Sequence, residues 1–124
     1  MKVIVAGARL GGLVAALALL RKGMDVVVLE QASALREVGA GIQLSANATR
    51  VLFRLGLEDE IMSKSSEPSG KRIRLWNTGQ SWPLFDLGAV SRSRWGAPYI
   101  TMHRADLHAV LAAAVQAADP QALR

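Results

Sequence analysis

Cysteine is absent from this 124-residue chain. Its absence excludes disulfides and thiolate metal sites and fits a reducing, cytoplasmic compartment. Aromatic residues are scarce, at 5%. Acidic residues are outnumbered, 10 against 15 Lys and Arg, for a net charge of +5. A basic excess can serve nucleic acid, yet the basic residues are scattered from Lys2 to Arg124. Their densest cluster, Lys71, Arg72 and Arg74, alternates with apolar residues like a strand edge. With no basic run and no base-stacking platform, the pattern argues against nucleic acid as a partner. Long apolar runs are also lacking. Leu13 to Leu20 falls well short of the roughly 20 residues that span a bilayer. Arg9 and three glycines interrupt what precedes it, so neither a secretory signal nor a membrane segment is expected. His103 and His108 have no third ligand type at metal spacing, so capping or surface roles suit them better than a metal. Ser45 has no adjacent base, and no catalytic triad stands out.

What is present is a globular composition, 51% apolar and 20% charged, sufficient for one modest domain. The informative stretch runs from Val3 to Glu30. Lys2 to Ala6 is β-branched and apolar, as for a strand buried on both faces. Gly11 to Lys22 reads as an Ala/Leu-rich helix stopped by Gly23. Asp25 to Leu29 is a second strand, and the acidic Glu30 follows it. Strand, glycine turn, helix, strand and terminal acid make the ADP-binding half of a dinucleotide fold. In that motif the pyrophosphate lies against the helix N-terminus, where backbone N–H groups point outward. Gly7 permits the tight turn, Gly12 permits close helix packing, and Glu30 is spaced to accept from ribose hydroxyls. Arg9 replaces the middle glycine. If that position needs a strained backbone, a side chain there costs about 1–3 kcal/mol. Alternatively, its guanidinium swings outward and pairs with a phosphate oxygen. Weakened dinucleotide binding is the expectation.

Further along, Gln31 to Gln43 reads as a loop or broken helix, with a short extended piece over Ile42 to Ser45. Ala46 to Leu55 is a helix with Val51, Leu52 and Leu55 on one face, capped by Ser45 or Asn47. Glu58 to Lys64 is a short helix. Lys71 to Trp76 and Gln80 to Phe85 flank an Asn77-Thr78-Gly79 turn and make a half-buried hairpin, inserted into the nucleotide-binding topology. Asp86 to Pro98 reads as irregular, and Tyr99 to Met102 as a brief strand. Arg104 to Ala118 is the clearest helix of the second half, with Leu107, Val110, Leu111, Ala114 and Val115 on one face. Packing is the default role for Trp76, Trp82 and Trp95.

The blocks GARLGGLVAALAL, VVVLEQASALREVGAGIQLSANATRVLFRLGL, WNTGQSWPLFDLG and APYITMHRADLHAVL together resemble the N-terminal part of the single-component FAD-dependent aromatic hydroxylases. These are the flavoprotein monooxygenases of the salicylate, hydroxybenzoate and hydroxynicotinate hydroxylase group. The resemblance covers essentially the whole chain, and the EVGAGIQLS and HRADLH blocks are its specific parts. It implies an α/β fold: a Rossmann-like βαβ FAD-binding domain with an inserted β-hairpin. The domain would be truncated, residues 1–124 forming part of it without a complete second domain.

The resemblance also implies roles for particular residues. Gly7, Gly11 and Gly12 would hold the FAD pyrophosphate. Glu30 would bind the adenosine ribose, with Gln31 beside the adenine end. Arg104 would reach the phosphate–ribitol region, and Gln43 would lie near the flavin. Arg36 and Arg50 are weaker candidates. The implied reaction hydroxylates a small aromatic substrate with O2 through a flavin hydroperoxide, NAD(P)H being the reductant. The family's later cofactor and substrate segments are not in this stretch, so the chain alone is expected to be inactive. With half a core uncovered, it is also expected to form homo-oligomers or aggregate. Two rival readings are a non-catalytic remnant with impaired FAD binding and a small NAD(P)-binding module. The VGAGIQLS and HRADLH blocks count against the latter.

Overall fold

A computed structural model describes residues 1–33 and 39–124. Strand β1 (Lys2–Ala6) leads through the glycine turn into helix α1 (Leu10–Leu20). Strand β2 (Asp25–Leu29) then pairs with β1 in parallel, Lys2 opposite Asp25 and Ala6 opposite Leu29. Gly23, at φ +75°, makes the turn that stops α1. Beyond β2 come strand β3 (Gly41–Leu44), helix α2 (Ala46–Arg54), helix α3 (Glu58–Ser63) and the two-residue strand β4 (Ser65–Ser66). The hairpin strands β5 (Gly70–Arg74) and β6 (Ser81–Asp86) follow, then helix α4 (Gly88–Trp95), strand β7 (Ile100–His103) and helix α5 (Arg104–Ala118).

These elements form three small sheets. The parallel pair β1–β2 gains the chain's last residues as a neighbour of β2. The Val28 N–H donates to the Ala122 carbonyl at 2.7 Å, and the Arg124 N–H donates to the Val28 carbonyl at 2.9 Å. Leu123 thereby forms an isolated parallel bridge with Val28. A second sheet has the order β3–β7–β4 with antiparallel pairing. The hairpin β5–β6 is the third.

One core joins the parallel sheet to the helices. Leu13 and Leu17 of α1 meet Val26 and Val28 of β2 and Leu107, Leu111 and Val115 of α5. The apolar spacing on α5 thus faces the core as its sequence pattern requires. Ile61 from α3 and Leu52 from α2 extend the same core. Buried Thr49 ties α2 to the approach to β7, its Oγ1 donating to the Pro98 carbonyl at 2.8 Å.

The structure corrects several expectations. β1 is not buried on both faces: Val3 and Val5 pack against the core while Ile4 is 65% exposed. The hairpin is not half-buried either. Ile73, Leu75, Trp82, Leu84 and Phe85 are all exposed, because its strands pair only with each other in a two-stranded sheet of their own. Trp76 and Trp95 are exposed too, so none of the three tryptophans is a core residue. Residues 88–95 form α4 rather than irregular chain. Gly96 ends this helix at φ +72°, and the buried Ser91 hydroxyl donates to the Ala97 carbonyl. On α2, Leu52 points inward but Val51 points outward. Ser45 occupies the N-cap of α2 without a side-chain cap bond, its hydroxyl donating to Asn47 Oδ1 instead.

Candidate functional site

The glycine turn between β1 and α1 is built by close contact. Gly7 has φ +98°, a conformation that favours glycine, and its N–H donates to the Leu29 carbonyl at 2.7 Å. Gly12 lies in the first turn of α1, directly against that bend. A Cβ on Gly12 would fall 2.0 Å from the Gly7 carbonyl oxygen. A Cβ on Gly11 would meet nothing within 4 Å. The first helical bond runs from the Leu13 N–H to the Arg9 carbonyl at 2.9 Å. The N–H groups of Leu10, Gly11 and Gly12 precede it and lie at the positive end of the helix dipole.

Glu30 closes the turn from the other side. One carboxylate oxygen accepts from the Ala8 N–H at 2.7 Å and the other from the Ala32 N–H at 2.9 Å. These bonds, Ala32 first and Ala8 next, hold the carboxyl below the usual carboxylate range, and the nearby Arg9 charge adds a smaller push in the same direction. A carboxylate offers about four acceptor sites. The Ala8 and Ala32 amides do not exhaust them, so the carboxylate can still accept from a ligand hydroxyl. Gln31 follows immediately and is exposed.

Arg9 does not strain the chain. It is the N-cap of α1 with φ −77° and ψ 174°, extended backbone open to any residue. The conditional strain cost therefore does not arise, and any effect of Arg9 on a ligand comes from its exposed side chain.

Arg104 opens α5. Its backbone N–H donates to the Ala40 carbonyl at 3.3 Å, and its Cδ lies 3.5 Å from where a Gly39 Cβ would stand. One turn on, His108 is buried and its Nε2 lies 2.8 Å from the Ala8 carbonyl oxygen. Residues i and i+4 share a helix face. The face of α5 that carries Arg104 is therefore the face that meets the glycine turn. A surface or capping role for His108 is thereby corrected, whereas His103 is exposed at the N-cap without a side-chain cap bond.

Gln43 belongs to a second cluster. Its Oε1 accepts from the Tyr99 hydroxyl and from Lys71 Nζ, the latter at 3.3 Å, and Lys71 Nζ stands 5.2 Å from the Tyr99 ring centre. With the amide oxygen held by two donors, the NH2 group is the remaining polar group of this exposed side chain. Arg50 lines a cleft of about 460 Å³ with Asn47, Asp86, Trp95 and Tyr99, the last shared with the Gln43 cluster. Arg36 lies outside the described residues.

The structure therefore gathers Gly7, Gly11, Gly12 and Glu30 at one turn, with Arg104 on the helix that buttresses it. Tyr99, Lys71 and His108 are the residues the sequence reading missed. The position of His108 four residues after Arg104 was the available signal.

A family described as "FAD binding domain" matches residues 1–122. The chain belongs to this family. It is 39% identical over 116 residues to the 6-hydroxynicotinate 3-monooxygenase of Bordetella bronchiseptica, covering 94% of this chain and 30% of that protein. Among solved structures it resembles the tetrameric form of 2-methyl-3-hydroxypyridine-5-carboxylic acid oxygenase. The TM-score is 0.81 and the identity 32%, covering 99% of this chain and 30% of that one. It also resembles the R204Q form of Klebsiella pneumoniae HpxO complexed with FAD, with a TM-score of 0.76 and 27% identity over all of this chain and 30% of that one. The FAD-binding chain thus spans about 30% of the length of the relatives it matches. Among its described residues no helix is long and apolar enough to cross a membrane, and no group of three or more His, Cys, Asp or Glu could hold a metal.

Proposed function

We propose that this chain is the FAD-binding portion of an NAD(P)H-dependent monooxygenase that hydroxylates a small aromatic substrate with O2. The observation that carries the reading is the closed glycine turn, in which Gly12 leaves no room for a Cβ against Gly7 and Glu30 clamps the Ala8 amide. Such a turn brings backbone N–H groups to an anionic ligand and an acceptor to its sugar. Gly7, Gly11 and Gly12 hold the pyrophosphate of FAD. Glu30 accepts from the adenosine ribose, and Gln31 borders the adenine end. Arg104 supplies positive charge to the phosphate–ribitol region. Gln43, oriented by Tyr99 and Lys71, offers its amide N–H to the flavin side. When bound and reduced by NAD(P)H, FAD supplies the activation of O2 for ring hydroxylation.

The test is a titration of the purified chain with FAD, read by quenching of flavin fluorescence and by the rise in Tm. Saturable binding is expected, with NAD(P)H giving no comparable Tm rise. Stabilisation by NAD(P)H but not by FAD would overturn the assignment.

A further inference from the structure

His108 is 5% exposed, and the cofactor roles above do not use it. Arg104 lies one turn before it on the same face, but its buried neighbours on α5, Leu107, Leu111 and Ala112, are apolar. An imidazole among such neighbours has to satisfy its polar nitrogens. Its Nε2 meets the Ala8 carbonyl at 2.8 Å across 100 residues of sequence. A carbonyl only accepts, so Nε2 carries the proton and donates.

The consequence lies in the peptide plane. The Ala8–Arg9 bond is trans, as are all the described peptide bonds. In a trans planar peptide the C=O and the following N–H point in opposite directions. Holding the Ala8 carbonyl toward α5 therefore turns the Arg9 N–H away from α5. The preceding plane is fixed as well, because the Ala8 N–H is held by Glu30 at 2.7 Å. Two side chains distant in sequence thus set two successive peptide planes at the start of α1.

We infer that His108 is a positioning residue for the phosphate loop: its Nε2–H holds the Ala8 carbonyl and so aims the Arg9 N–H and the first-turn amides of α1 at the cofactor's pyrophosphate. The inference rests on the reading that this turn holds the FAD pyrophosphate. A purely structural histidine would stabilise the fold and leave affinity unchanged once folded.

Three variants separate these roles. His108→Leu keeps bulk and removes the donor. His108→Asn is too short to reach Ala8 and serves if the leucine form does not fold. His108→Gln returns an N–H near the ε position. Kd values for FAD and for ADP are measured alongside the ligand-free Tm. Losing one hydrogen bond at the loop should weaken both ligands about tenfold. His108→Gln should recover most of that loss. FAD affinity equal to wild type in His108→Leu or His108→Asn would overturn the proposal. So would a loss that follows Tm and that His108→Gln does not restore. Absence of FAD binding in the wild type would overturn the underlying reading of the turn together with it.

Discussion

Gly12→Ala tests the closed turn most directly. An ideal Cβ at Gly12 falls 2.0 Å from the Gly7 carbonyl oxygen, 3.2 Å from its carbon and 3.4 Å from Val5 Cγ1. The first contact is with backbone, so no flexible side chain can give way. Either α1 moves off β1 or the Gly7 bend opens. Replacing a helical glycine by alanine ordinarily stabilises by up to about 1 kcal/mol. Overpacking against a fixed core costs about 1–3 kcal/mol and sometimes more. The clash wins, for a net loss of about 1–2 kcal/mol and a Tm drop of roughly 4–8 °C. Gly11→Ala is the matched control: its Cβ meets nothing within 4 Å and its φ is not positive. It should hold or raise Tm. Thermal unfolding followed by circular dichroism, without ligand, reads both. An unchanged Tm in Gly12→Ala, or equal losses in the two variants, would refute the close-approach argument. FAD titration of Gly12→Ala should also show weaker binding, because the amides of the first turn shift with the helix.

Other outcomes follow from the same contacts. Glu30 has its folded pKa lowered by amide hydrogen bonds, so its stabilisation is present above the unfolded carboxylate pKa and is lost as pH falls through the folded one. Tm of the wild type should therefore fall more steeply on acidification than Tm of Glu30→Gln, and parallel curves would contradict this. Thr49→Val removes the donor to the buried Pro98 carbonyl and should cost about 1–2 kcal/mol in denaturant unfolding. Arg9→Gly should raise FAD affinity by clearing the place of the second glycine, with equal affinities in titration counting against it. Arg92→Ala should cost no more than about 1 kcal/mol despite its paired bonds to Glu67 at 2.7 and 2.9 Å, because the pair is at the surface.

Much of the candidate site's geometry was legible because the glycine turn is local in sequence. Gly7, Gly12 and Glu30 lie within one βαβ unit whose apolar strands and Ala/Leu-rich helix are marked in the sequence, and β1, β2 and α5 formed as strands and helix where their residues placed them. α4 was not legible: its segment has no apolar stripe, and its C-terminal end is fixed by Gly96 and by the Ser91 bond to Ala97. The hairpin's alternation correctly marked strands but not burial. Alternation shows which face is apolar, while burial depends on what lies against that face. Tyr99 and Lys71 were missed because they reach Gln43 from 56 and 28 residues away in sequence.

The sequence by itself determined the parallel βαβ unit, the glycine turn, the acidic residue that ends β2 and the family. Period, glycine placement and spacing are properties of neighbouring residues. Only the tertiary structure decided that Arg9 is unstrained, that Glu30 clamps the Ala8 amide and that His108 holds the Ala8 carbonyl. Each of these depends on the direction of a peptide plane. That direction is fixed by a partner 22 or 100 residues distant, which packing brings within hydrogen-bond reach.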